Sequence, residues 1–127
     1  MITFDNFKPD NDSPIYVQVV LHIKRGIIAG TVVNGDALPS RRVLSATLGI
    51  NPNTVQKAYK ILEDEGLIVS YSGAGSNVVI NEEIVAQIRR ELVMKEAEAV
   101  VDAMKKMGIA KENALEIIDS LWEADNA

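Results

Sequence analysis

Only three residues, Gly49, Ile50 and Asn51, separate two runs of helical periodicity in this chain. Before them, Leu38-Pro39-Ser40 leads into a helix of about nine residues that Ser40 caps, with Leu44 and Leu48 facing inward and Gly49 ending it. After them, Asn51 caps a second helix, Pro52 takes its first position, and Val55, Ala58, Tyr59 and Leu62 recur at i, i+3, i+4 and i+7 until Gly66. So short a connection between two helices is the spacing of a helix-turn-helix. This constrains the fold more than composition does.

Once the buried stripe of the second helix is set, its outward residues are Asn53, Thr54, Gln56, Lys57 and Lys60. Side-chain amides can bond in pairs to an adenine edge, a threonine can meet a thymine methyl or a phosphate, and lysines neutralise phosphates. A helix that opens with amides where acids are usual suits a first turn directed into the major groove of DNA.

The formal net charge of −5 argues against a polyanionic partner only while it is read as one number. Residues 1–80 carry seven basic and seven acidic side chains, whereas residues 81–127 carry six basic and eleven acidic. The excess acidity belongs to the C-terminal segment, and four of the seven positive charges of the first part fall between residues 41 and 60. Zero cysteines and a single histidine, His22, exclude disulfides, thiolate metal sites and imidazole clusters, so no metal and no cofactor is expected.

Upstream, Ser13 and Pro14 signal a helix start, with serine capping and proline in the first position. Tyr16, Val19, Val20, Ile23 and Ile27 form its buried stripe, and Gly30 ends it; His22 lies off the stripe as a surface or boundary residue. Asn34-Gly35-Asp36 reads as a turn. Leu67–Tyr71 and Ser76–Ile80 read as paired strands around a turn at Ser72-Gly73-Ala74-Gly75. A hairpin directly after the second helix of a helix-turn-helix is the wing of a winged helix. A phosphate-binding glycine loop is the rival reading, but no helix N-terminus follows to supply its amides.

From Glu82 to Met107, Ile84, Ile88, Leu92, Ala99, Ala103 and Met107 fall on one side of a helix that Gly108 ends. A second helix follows over Lys111–Glu123, with Ala114, Leu115, Ile118, Leu121 and Trp122 along one stripe. Met94, Met104 and Met107 read as packing residues. Two amphipathic helices this short cannot bury both stripes against each other, so a second copy of the chain is the expected partner over residues 82–123. The fold class is α+β and mainly helical: a winged helix-turn-helix over residues 1–80 and a two-helix dimerisation tail over 81–127.

The stretch "GDALPSRRVLSATLGINPNTVQKAYKILEDEGLI" followed by "GAGS" resembles the GntR family of bacterial transcription regulators, and "NPNTVQKAY" resembles its YtrA-type subgroup. The resemblance covers roughly residues 13–80. It implies a regulator that binds double-stranded operator DNA as a homodimer and usually represses until an effector or condition releases it. It also implies DNA contacts from Ser40 and Arg42 and from Asn53, Thr54 and Gln56. Two departures bear on this. Pro52 and Gln56 stand where much of the family has arginine, and the wing reads Gly73, Ala74, Gly75, Ser76 with no basic residue. Wing contact is then limited to backbone amides around Gly75 and to Ser76, leaving Arg41, Arg42, Lys57 and Lys60 to supply most phosphate neutralisation.

The segment after residue 80 is too short for the large ligand-binding domains of other GntR subgroups. A small-molecule effector could sit between tail and winged helix, although no cluster of convergent polar residues marks a pocket. No run reaches the roughly 18 apolar residues of a membrane helix and the first fifteen residues hold no signal-like core, which makes the cytoplasm the expected location. Carboxylates are spread along helix faces with no nucleophile or base beside them, so no enzymatic reaction is expected. The expected function is repression of a transport or stress operon, an assignment that only the family resemblance implies. The alternative is a winged-helix adaptor that binds another protein; it should expose an apolar patch where this chain has Arg42, Asn53, Gln56 and Lys57.

Overall fold

The computed structural model describes residues 2–71 and 75–124. Along the chain run α1 (Ile15–Ala29), β1 (Ala37–Leu38), α2 (Arg41–Leu48), α3 (Pro52–Asp64), β2 (Ile68–Tyr71), β3 (Gly75–Val78), α4 (Glu82–Lys106) and α5 (Lys111–Ala124). Residues up to Ile88 form one compact unit and those from Arg89 onward another.

In the first unit the expected stripes are the buried ones. Val19, Val20, Ile23 and Ile27 of α1 meet Leu44 of α2 and Val55, Ala58, Tyr59 and Leu62 of α3. Burying one such side chain stabilises the fold by about 1.5–3 kcal/mol. Gly30 closes α1 in the left-handed conformation, its N–H donating to the carbonyls of Gly26 and Ile27. The start of α1 differs from expectation: Pro14, not Ser13, is the N-cap residue, and no side chain caps the helix. One residue too early, the Ser13 hydroxyl is out of register with the first amides. The Ser13 carbonyl instead accepts from Gln18 Nε2 at 2.7 Å.

The sheet has three antiparallel strands in the order β1-β3-β2. The expected hairpin pairs Ile68 with Val78 and Tyr71 with Gly75, and Val79 N–H still donates to the Leu67 carbonyl at 2.9 Å. The turn residues Ser72, Gly73 and Ala74 lie outside the described residues. The added strand is β1, whose Ala37 and Leu38 pair with Asn77 and Ser76. Two residues stopped by Pro39 are too short to carry an alternating pattern, so the segment read only as a lead-in to α2.

A second addition to the core comes from the N-terminal segment. Ile2 and Phe4 are buried, and Ile2 N–H donates to the Ala37 carbonyl at 2.9 Å. Phe4 stacks on His22 with ring centroids 4.5 Å apart, and His22 Nε2 lies 2.9 Å from the Thr3 carbonyl oxygen. His22 is thus a half-buried boundary residue that anchors this segment.

The composition break at residue 80 marks the approach to α4, while the first unit continues to Ile88. The reason is packing: Ile84 and Val85 lie against the core and Ile88 belongs to it. The expected single stripe of α4 therefore divides. Its first members are consumed by the first unit, whereas Ala99, Ala103 and Met107 are exposed. In the second unit Val93, Met94, Val100 and Val101 of α4, with Leu115, Leu121 and Trp122 of α5, also face solvent. Gly108, with φ +72°, turns the chain between the two helices.

Candidate nucleic-acid interface

The candidate interface is built from two helix starts. Ser40 adopts an extended backbone before α2, and its Oγ accepts from Val43 N–H at 3.1 Å. That hydroxyl keeps its own proton and can still donate to a phosphate oxygen. Asn51 does the same for α3, its Oδ1 accepting from Asn53 N–H at 2.8 Å, and Pro52 follows in the first turn. Neither helix has an acid in its first turn, so the partial positive charge of both N-termini stands uncancelled.

Around these starts the side chains divide by exposure. Arg42, Asn53, Gln56, Lys57 and Lys60 are exposed, and Thr54 is half-buried at the rim of the core. The tight turn at Gly49, whose φ of +66° favours glycine, joins the end of α2 to the start of α3. Ser45 supports this turn from beneath through a hydrogen bond to the Ile50 carbonyl.

The basic residues are held differently. Lys57 Nζ lies 4.0 Å from the centroid of the Tyr16 ring on α1. Lys60 pairs with Asp64 at 3.2 Å, but both side chains are more than 60% exposed, and so open an ion pair is worth little and yields readily to a phosphate. Arg41 is half-buried, its guanidinium carbon 5.7 Å from the Tyr59 ring centroid. Tyr59 is itself buried and donates its hydroxyl proton to the Pro39 carbonyl at 2.6 Å. Burial pushes its phenol well above the ordinary tyrosine range, with Arg41 opposing that rise, so Tyr59 remains a neutral donor.

Ser76, expected at the DNA surface, has its side chain engaged within the hairpin. Ser76 is only 5% exposed, and its hydroxyl meets that of Ser70 at 3.0 Å. Alternation along β3 turns Ser76 inward with Val78, so this side chain is part of the hairpin's interior. Gly75 is exposed at the edge of the described wing, opposite Tyr71 in the hairpin. Sequence reasoning placed Tyr16 and Tyr59 in the core without seeing that they carry Lys57 and Arg41. The partners lie far apart in the chain and no local spacing signals the pairing.

Among the described residues no group of three or more histidines and carboxylates converges on a metal site, and no helix is long and apolar enough to cross a membrane.

A helix-turn-helix followed by a small antiparallel sheet, with its polar and cationic side chains gathered at two acid-free helix starts, defines a winged-helix DNA-binding protein. Residues 15–78 match the model of the bacterial regulatory proteins of the gntR family, and the chain belongs to that family. The HTH-type transcriptional regulator YhcF of Bacillus subtilis is 32% identical over 113 residues, 89% of this chain and 93% of YhcF. The HTH-type transcriptional repressor YtrA of the same organism is 42% identical over 73 residues, 58% of this chain and 56% of YtrA. A solved GntR family transcriptional regulator from Listeria monocytogenes superposes with a TM-score of 0.76 at 32% identity, covering 88% of this chain and 98% of that one. The chain is a DNA-binding transcriptional regulator of the YtrA type. Its relatives are regulators, a class without enzymatic function.

Proposed function

We propose that the chain is a repressor that binds an inverted-repeat operator as a homodimer. The observation that carries this reading is the acid-free pair of helix starts, with Ser40 and Arg42 exposed at α2 and Asn53 and Gln56 exposed on α3. Arg42, Lys57 and Lys60 supply phosphate contacts that position the protein, while Asn53 and Gln56, with Thr54 beside them, read base edges. The sense of regulation follows the likeness to YtrA, a repressor by its name. A transport or stress operon in the cytoplasm is the target we assign from family likeness. An effector that releases the DNA fits this role.

Dimerisation is supported by what the second unit leaves uncovered. Leu115, Leu121 and Trp122 of α5 are 56%, 64% and 72% exposed, and Val93, Val100 and Val101 of α4 are about half exposed. A row of large apolar side chains of this kind calls for a partner surface. An isologous pairing of two tails brings two winged helices to one DNA molecule.

Selection of bound sequences from random duplex DNA tests the reading. The expected result is an inverted repeat whose half-site centres lie about 10 bp, or a multiple of that, apart. Recovery of a single asymmetric half-site by the intact chain would refute the dimeric mode, and recovery of no preferred sequence would refute specific operator binding.

A further inference from the structure

Arg41 differs from the other cations of the interface because it is partly withdrawn from water without gaining a counter-charge. Its Nε is buried and has no hydrogen-bond acceptor, while its two Nη nitrogens, without partners among the described residues, are not buried. No carboxylate among the described residues pairs with it. A desolvated N–H without an acceptor is unfavourable, so packing and not pairing fixes this side chain. That packing is supplied by Tyr59. From α3, its ring lies under the guanidinium at 5.7 Å, and its hydroxyl binds the Pro39 carbonyl, two residues before Arg41. One side chain, 1% exposed, therefore holds both the backbone entering α2 and the cation at its first position.

We propose that Tyr59 is a positioning residue for DNA binding: it holds Arg41 so that the two Nη nitrogens face a backbone phosphate, the anion this guanidinium lacks. The proposal rests on the reading that DNA docks at the starts of α2 and α3. A planar guanidinium held over a ring presents its remaining donors in a fork, which matches a phosphate, whereas a lysine ammonium at the same place is a mobile point charge. Lys57 over Tyr16 is the corresponding pair on α3 and α1, but there the cation itself is exposed and no donor is trapped.

The test uses the full chain and four variants, Arg41→Ala, Arg41→Lys, Tyr59→Phe and the double Arg41→Ala/Tyr59→Phe. Affinity for a duplex is titrated over a range of salt, and each variant's thermal unfolding confirms that it is folded at the assay temperature. Arg41→Ala should weaken binding and lower the steepness of log K against log salt by about one. Arg41→Lys should restore that steepness but recover only part of the affinity. By removing the hydroxyl's bond to the Pro39 carbonyl, Tyr59→Phe should weaken binding about two- to fivefold when Arg41 is present and leave it unchanged when position 41 is alanine. The proposal fails if Tyr59→Phe has the same effect in both backgrounds, if Arg41→Lys equals the parent, or if Arg41→Ala leaves the salt dependence intact. Should Tyr59→Phe be unfolded, the Arg41→Lys comparison decides alone. Failure of the parent itself to bind any duplex would strike the functional reading instead, so the two are separable.

Discussion

The hydroxyls of Ser70 and Ser76 meet at 3.0 Å across the hairpin, and Ser70 also donates to Glu63 Oε2 at 3.3 Å. The wing is thereby tied to the end of α3 through its own side chains. Ser76→Ala should leave DNA affinity within about twofold of the parent, while the lost hydrogen bond lowers stability by about 0.5–1.5 kcal/mol. Paired binding titrations and thermal melts check both parts. A large loss of affinity with unchanged stability would return Ser76 to the DNA surface.

Arg42 sits at the second position of α2, exposed and beside the Ser40 cap. Arg42→Ala should weaken binding to specific and unrelated duplexes by the same factor and reduce the salt dependence by about one ion. Comparison of one operator with one scrambled duplex at several salt concentrations measures this. A loss confined to the operator would make Arg42 a base reader.

For Asn53 and Gln56 the expectation is the opposite. Each substitution to alanine should cost about 1–3 kcal/mol at one operator position and leave the others unchanged. The capping bond uses the Asn53 backbone N–H and not its side chain, so α3 survives the change. Selected consensus sequences identical to that of the parent would show that neither side chain reads bases.

Removal of everything after Ile88 should leave a folded, monomeric winged helix. Among the described residues, all the buried hydrophobic ones, from Ile2 to Ile88, lie within that fragment. It should bind the full operator about 10² to 10⁴ times more weakly, because the second half-site is no longer reached intramolecularly. Sedimentation and titration of the fragment check this, and a fragment that dimerises or binds like the intact chain assigns the tail another role.

The helix-turn-helix was legible because every signal that makes it is local. Ser40 and Asn51 cap, Pro52 starts, Gly49 turns, and Val55, Ala58, Tyr59 and Leu62 repeat at helical spacing. What escaped depends on distant partners. Leu38 joins a sheet only because Ser76 lies beside it, and Ile2 and Phe4 are core only because α1 offers His22 and its stripe. The same holds for the site. Asn53 and Gln56 emerge as outward residues by subtraction once the buried stripe of α3 is known, and Arg42 enters only through the family resemblance, whereas the props beneath Arg41 and Lys57 come from elements that no spacing connects. The inward turn of the Ser76 side chain is hidden in the sequence for a related reason. The sequence locates a hairpin, but the register that points Ser76 inward with Val78 is set by its pairing with Leu38 and Ser70.

The capped start of α3 bears on the thermodynamics of association. With Asn51 bonded to the Asn53 amide, Pro52 fixing the first turn and four side chains buried beneath, α3, the helix proposed to read DNA, is fully formed without it. Docking then orders no backbone in this element, so the entropic penalty that coupled folding would impose is absent and the heat-capacity change reflects only the surface removed from water. A small set of contacts goes directly into affinity and discrimination, and encounter is limited by diffusion and orientation and not by a folding step.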